Sequence, residues 1–402
     1  MTEHALFAVP THSVWDRSLT PRLRIQPGDE VAFECVDASG GQVHPGMTTH
    51  EYLAIDRTRI HALTGPVWIE GAEPGDVLQV DVLFTRHSGW GWSSVIEGLG
   101  FLKDRFSEPY LFHWQLDGES TGSLAPAVVP VRPFLGVMGV ARADDGAFRT
   151  RPPGPFGGNL DVRELCAGSR LYLPVFNKGA LFSCGDGHAA QGDGEVCING
   201  IECPLDVTLR FHLHKQQPLS GPIVEASEVA ASDSTANAWV VVESGTDLAD
   251  TARAATSRMI DLLVSRWGFS EIHAYILCSV ALKLRLSQVV NEPVYTISAA
   301  LKLRVLYPRY EEALVNKVTV NHSPRKRNNQ LLDKGRMEGS FKTLRIRKVL
   351  AFHMSRREHK AQLRFCKRPR RQTKMPRRNR LHFHLCCPAI VERQGMQQVC
   401  RR

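Results

Sequence analysis

The sequence predicts a mainly β protein, sandwich- or barrel-like, with a smaller α/β portion and a basic, disordered C-terminal tail. Three observations predict it. A Pro-Gly-Asp turn recurs ahead of runs in which apolar and polar residues alternate. Helical periodicity is confined to residues after about 245. Charge then segregates: residues 323–402 hold 24 of the 50 Lys and Arg but only 4 of the 41 Asp and Glu.

IQPGDEVAFECVDA (25–38) and AEPGDVLQVDVLF (72–84) carry the recurring pattern, and CAGSRLYLPVF (166–176) is a looser version. Pro then Gly fits the two central positions of a type II turn. After the second turn Leu78, Val80, Val82 and Phe84 are expected on one face, with Gln79 and Asp81 on the other. That period of two marks a half-buried strand. VVPVRPFLGVMGVA (128–141), DVTLRFHLHK (206–215) and NAWVVVES (237–244) read as further strands. Residues 246–268 read as a helix, with Leu248, Ala252, Ala255, Met259, Leu262 and Leu263 on one stripe. Thr246 is its expected N-cap and Gly268 its stop. SEIHAYILCSVAL (270–282) is a second helix opening at Ser270, and LRLSQVV and VYTISAALKLRVL return to strand character. Residues 1–306 thus form one body, mostly β to about 245 and α/β from 246.

Without residues 323–402 the chain keeps 26 basic and 37 acidic residues. An acidic body gives no reason to expect a nucleic-acid partner; only a genuine tail does. KRPRRQTKMPRRNR (367–380) cannot bury its charges, so disorder is the plain alternative. The abrupt break favours a third reading, in which 307–402 is out-of-frame sequence after a true end near 306. MTEHALFAVPTHSVWD lacks a basic start and a long apolar core, so no signal peptide is expected. No apolar run reaches the ~18 residues of a membrane span. Of ten cysteines, six lie in the body with no CxxC pair. They read as reduced thiols of a cytoplasmic protein.

The stretch most suited to chemistry is SCGDGHAAQGDGEVC (183–197). Helices and strands both disfavour so much glycine, which predicts a tight loop. Asp186, His188, Asp193 and Glu195 would project from it, and grouped acids beside an imidazole share protons, bind a cation or repel. A solvated polar loop is the plain alternative. The flanking apolar YLPVF, ALF and VCI argue against it. Weaker signals lie elsewhere. His12 and Asp16 occur in HSVWDRSLTP, and His61 precedes a Thr-Gly-Pro turn with Glu70 and Glu73 beyond. Gly157 and Gly158 precede Asn159 and Asp161, where a backbone must approach something closely; Asp161 is alternatively the cap of a short helix in DVREL. His212 and His214 share one strand face, as a metal pair or as two outward positions.

Taken in order, several stretches resemble the acetamidase/formamidase family. They are HSVWDRSLTP, HALTGPVWIEGAEPGDVLQVDV, GFLKDRF, GVMGVA, GGNLDVRELCAGSRLYLPVFNKGALFSCGDGHAAQGDGEVC and, less closely, LSQVVNEP. The resemblance covers about residues 10–306 and is strongest over 157–197. It implies hydrolysis of a short aliphatic amide, formamide or acetamide, to a carboxylate and ammonia. It also implies a mostly β fold with a smaller α/β portion, a homo-oligomer and an associated metal. Two departures stand near the end of the body. Lys283 occupies a place where a Gly-Asp pair is usual, and Lys302 one where Pro is usual. They bear on the folding of the last strands more than on the chemistry.

Amide hydrolysis must activate water, stabilise an oxyanion and protonate the leaving nitrogen. A divalent cation, with zinc one choice, serves the first two needs through three protein ligands and an open position. Asp186 and His188 are the first expected ligands, completed by His12, Asp16 or Asp161. Glu195 is the expected base and later acid, given a pKa raised by burial; Asp193 and Cys184 are the other catalytic candidates. Backbone N–H groups near Gly157 and Gly158, with Asn159, are expected to hold the substrate. Cys184 with His188 is an alternative nucleophile, ranked below metal-assisted attack. Two other function classes stay open: an inactive, metal-stabilised β-rich binding protein, and an amidase body with a nucleic-acid-binding tail.

Overall fold

The computed structural model describes residues 2–227 and 235–306, and the predicted basic tail lies outside them. Two sheets dominate. The large sheet has nine strands, in the order Glu3–Leu6, Glu30–Cys35, Leu205–His214, Val77–His87, Arg170–Pro174, Ile223–Ala226, Ala238–Gly245, Tyr295–Lys302, Lys283–Gln288. The small sheet has five: Gly157–Asn159, Phe134–Gly139, Phe182–His188, Leu63–Ile69, Leu23–Ile25. One apolar core joins them, with Phe33 and Phe211 of the large sheet against Phe182 of the small one. The fold is therefore mainly β and sandwich-like, as the alternating runs predict.

The Pro-Gly-Asp turns stand where expected, and Gly75 takes the positive φ of +91° that such a turn requires. Leu78, Val80 and Val82 are buried, but Phe84 is turned outward and about half exposed. A bulge explains the reversal. Val82 faces Leu209 and Phe84 faces Thr208, so the extra residue Leu83 flips the phase of everything after it.

The α/β portion is the far half of the large sheet under two helices. Val240 and Val242 point into the sandwich core, while Trp239 and Val241 point to the helices. Both faces are covered, which is why this strand reads as a continuous apolar run. The helix Leu248–Trp267 lays Thr251, Ala255, Met259 and Leu263 on that second face. Its N-cap is Asp247 rather than Thr246, because the Asp247 carboxylate accepts from the Asp250 N–H at 2.8 Å. Gly268 closes it in the left-handed conformation. Ser270 caps the second helix, Glu271–Ala281. Lys283 and Lys302 both sit in strand pairs, opposite Ala300 and Ala238. Among the described residues no helix is long and apolar enough to cross a membrane.

One expectation fails in a telling way. Residues 183–188 are not part of a loop but of the strand Phe182–His188, in the middle of the small sheet and wholly buried. Close packing, rather than a turn, uses its glycine: a Cβ on Gly187 would stand 2.5 Å from the Cys203 carbonyl oxygen. Only the residues after His188 form the loop.

Candidate functional site

Four acids and an imidazole meet at the end of that strand. Asp186 and His188 are on the strand itself. Asp161 follows Gly157–Asn159, which is held in the same sheet by Phe134–Gly139. Glu195 comes from the loop. Glu202 is set opposite His188 by an antiparallel bridge, flanked by Ala189 N–H donating to Ile201 O and Cys203 N–H donating to Gly187 O. All five side chains are buried. Asp161, Asp186 and Glu195 hold left-handed φ values of +51°, +59° and +49°. Such backbone costs energy for an L residue and concentrates at functional sites.

His188 is the hub. Its Nε2 lies 3.0 Å from Glu202 Oε1, 3.6 Å from Asp186 Oδ1 and 3.9 Å from Glu195 Oε1. One donor atom each from Asp161, Asp186 and His188 falls within 4.8 Å of the others, and the same holds for His188, Glu195 and Glu202. Several polar atoms here are buried without a hydrogen-bond partner among the described residues: Asp186 Oδ1, Glu202 Oε2, Asn159 Oδ1 and His61 Nδ1. Buried polar atoms are normally paired, so this concentration marks a place built for something else to bind. Oxygen and imidazole donors around one point suit a divalent cation such as zinc.

Gln191 determines which nitrogen of His188 is available. Its Nε2 donates to the carbonyl oxygens of Asp161 at 2.9 Å and Ser287 at 3.0 Å. Only an amide NH2 satisfies two carbonyls, so Oε1 must face His188 Nδ1, 2.9 Å away. Nδ1 therefore carries a proton, and Nε2 is the nitrogen presented to the acids.

Burial works against every charge in the cluster, and the neighbours decide the outcome. Burial, then the Asp186 carboxylate, pushes Asp161 up to about 7. Burial pushes Glu202 up to about 8. Glu195 is raised well above the usual carboxylate range by burial and then by Asp161. Burial would also raise Asp186, but the facing His61 and His188 outweigh it and hold Asp186 low. Burial would lower His188, yet Glu202 and Asp186 hold it well above an ordinary imidazole. The site thus pairs an easily ionised acid with proton-holding ones.

Asn291 Nδ2 donates to Asp161 Oδ2 at 2.9 Å and orients it. Gly136 forms the floor: a Cβ there would lie 2.6 Å from Asp186 Oδ2 and 2.8 Å from Asp161 Oδ1. No other residue lets both carboxylates come so close. The cluster opens into a cavity of about 510 Å³.

The structure brings together Asp161, Asp186, His188, Glu195 and Asn159, and it places the remaining candidates elsewhere. His12 has both ring nitrogens taken, by Val14 O at 2.8 Å and Ser183 Oγ at 2.9 Å. Asp16 caps a turn through the Ser18 N–H. Asp193 is outside the cluster, ion-paired with Arg285 and Arg163. Cys184 lies in the sandwich core, its thiol pushed well up by burial and by Cys35, which leaves no thiolate for attack. The Gly157 N–H already donates to the Gly154 carbonyl oxygen, and Gly158 packs against Phe156. Asp161 caps no helix. His212 and His214 are the outward strand positions, facing Asp81 and Gln79.

Sequence reasoning missed Glu202, Gln191, Asn291 and Gly136, and it left His61 among the weak signals. Glu202 carried one faint mark, a single acid between Ile201 and Cys203 in an apolar setting. The others had none, since each acts by a contact across many residues of chain.

A model of the acetamidase/formamidase family matches residues 3–145 and 140–306. A formamidase from Methylophilus methylotrophus is 31% identical over 245 residues, which are 47% of this chain and 60% of that protein. An acetamidase from Mycolicibacterium smegmatis is 30% identical over 256 residues, 48% of this chain and 63% of that protein. The matches thus span a little under two thirds of either relative. A solved structure, an acetamidase from Bacillus halodurans, is similar with a TM-score of 0.69 and 31% identity, covering 75% of this chain and 98% of that one.

Proposed function

This chain belongs to the acetamidase/formamidase family, and from that premise we propose that it hydrolyses the C–N bond of a linear amide, releasing a carboxylate and ammonia. The observation that carries the reading is the buried cluster around His188, with unpartnered oxygen atoms opening on a cavity. Asp161, Asp186 and His188 Nε2 would hold a divalent cation, with zinc one choice. When bound, such an ion polarises a carbonyl and lowers the pKa of water to about 7.

The remaining steps belong to the chain's own side chains. Glu195, with its raised pKa, takes a proton from the attacking water and returns it to the departing nitrogen. Water oxygen bonds to the carbonyl carbon; the C–N bond breaks with its electron pair on nitrogen. Asn159 Oδ1 has no partner among the described residues and would accept from the substrate NH2, orienting the amide. Gln191 keeps His188 in place from Nδ1 and leaves Nε2 for the cation; Glu202, 3.0 Å from Nε2, is a further oxygen beside it. Burial of Cys184 argues against the thiol alternative.

Ammonia release from formamide and acetamide, before and after chelation, tests the reading. Release that chelation abolishes and added zinc restores is the expected result. Release that survives with no bound metal by elemental analysis removes the cation from the proposal. A folded protein inert toward every amide removes the activity.

A further inference from the structure

The cavity above the cluster is far larger than formamide or acetamide requires. A water molecule occupies about 30 Å³ of liquid, so 510 Å³ holds roughly seventeen such volumes. That is the range of sites for ligands larger than a handful of heavy atoms. Two features of its walls describe what fills the rest. Ile60, Trp92, Ile96, Leu99 and Ile198 line it with apolar surface. Arg57, Arg149 and Arg151 line it as well.

These arginines differ from most of the others. Arg163, Arg170, Arg210, Arg258 and Arg285 each pair with a carboxylate. Among the described residues, no carboxylate lies within ion-pair distance of Arg57, Arg149 or Arg151. Arg57 stacks over the Tyr52 ring, 4.8 Å from its centre. Arg151 bonds to Asn291 Oδ1 at 3.3 Å and Val290 O at 3.1 Å. The Arg149 side chain is exposed. Arg149 ends the short strand Phe148–Arg149 and Arg151 follows two residues on, and both line the cavity. Guanidinium groups match a carboxylate through paired N–H donors, and ones without an ion-pair partner at a cavity wall recruit that partner from the ligand.

We infer that the substrate is an amide whose acyl chain is apolar in the middle and ends in a carboxylate, the amide on the acidic floor and the carboxylate at Arg57, Arg149 and Arg151. This rests on the amidase reading and names its substrate class. The reaction converts the monoamide of a dicarboxylic acid and water into the dicarboxylate and ammonium. Water oxygen forms the new C–O bond, the C–N bond breaks, and nitrogen leaves with the electron pair and takes up protons. The distal carboxylate is unchanged.

Steady-state kinetics of the full chain test it with glutaramate and with its neutral isostere, in which an isopropyl group replaces the carboxylate. Glutaramate should have the higher kcat/KM, by about tenfold to a hundredfold for a charge-assisted contact. Arg149→Met and Arg57→Met should each collapse that ratio, mainly through KM for glutaramate. Equal or better use of the neutral isostere overturns the inference, as does an unchanged ratio in both variants; the arginines then only offset the acidic floor. If acetamide is hydrolysed while glutaramate neither reacts nor competes, the inference fails and the amidase reading stands. If no amide reacts but calorimetry shows glutaramate binding that Arg149→Met abolishes, the amidase reading fails and the anion site stands.

Discussion

The helical end of the large sheet and the central strand of the small sheet bury their residues by opposite means. In the first, apolar side chains at helical and strand periods meet: Ala255, Met259 and Leu263 rest on Trp239, Val241 and Ala299. Caps, stripe and stop agree with one another, and no charge is buried among them. In the second, Asp186 and His188 are buried beside Asp161, Glu195 and Glu202, on backbone that includes left-handed non-glycine residues. Local rules are kept under the helices and broken at the buried acidic cluster. The strained, acid-rich strand survives because it is framed on both sides by strands of the small sheet.

Substitutions separate the two regions, and the largest effect is expected in the second. Glu195→Gln keeps the shape but cannot carry a proton. Amide hydrolysis should fall about 10²- to 10⁴-fold, with an unchanged circular dichroism spectrum. Wild-type turnover in a folded variant would remove the assignment of the base.

Next is Met259→Ala, in the first region, which leaves a cavity under the helix. It should cost about 2–5 kcal/mol in denaturant unfolding. Turnover per folded molecule should be unaltered. A loss of turnover without loss of stability would mean that the two regions are not separable.

Gln191→Leu returns to the site without touching substrate. It frees the Nδ1 position of His188, so the tautomer is no longer dictated. Divalent-ion affinity should drop about 10- to 100-fold, the usual cost of losing an outer partner of a ligating histidine. Nitrogen NMR of the imidazole, taken above the raised pKa of His188, should show mixed tautomers in the metal-free variant and a single Nδ1–H form in the parent. A parent that already mixes them would refute the role given to Gln191.

The smallest effect concerns the scaffold and pH. Burial would raise Asp76, but Lys215 Nζ at 2.6 Å and the N–H groups of Gln216 and Glu73 outweigh it and hold its pKa below the ordinary value. A depressed carboxylate stabilises the fold fully above its unfolded pKa, near about 4, and loses that contribution as pH falls through the lower folded value. Thermal unfolding of the parent should therefore weaken below about pH 4 more steeply than that of Asp76→Asn. Identical acid limbs would show that this turn adds nothing.

Part of the site was legible because glycine, aspartate and histidine are improbable between apolar strands. That drew attention to Asp186, His188 and Glu195, and the structure brings them together with Asp161. Legibility ended at orientation. Cys184, Asp186 and Asp193 lie within ten residues of each other, yet one enters the core, one the cluster and one a surface ion pair with Arg285. Nothing local distinguishes them. Phe84 teaches the same lesson, since one bulge opposite Thr208 reversed a face that alternation assigns correctly up to Val82.

By itself the sequence determined the class of fold, the two helices after residue 245, the Gly268 stop, and the segment in which acids and His188 are concentrated; the short helix Thr49–Leu53 among the early strands escaped it. Those follow from backbone preference and periodicity, which act over a few neighbouring residues. The tertiary structure alone decided that Glu202 faces His188, that Gln191 sets its tautomer, that Gly136 admits two carboxylates, and that three arginines share the cavity with an apolar wall. Each depends on strand pairing or on contacts between residues far apart in the chain. Burial, which shifts the pKa of every acid in the cluster, exists only once those strands have met.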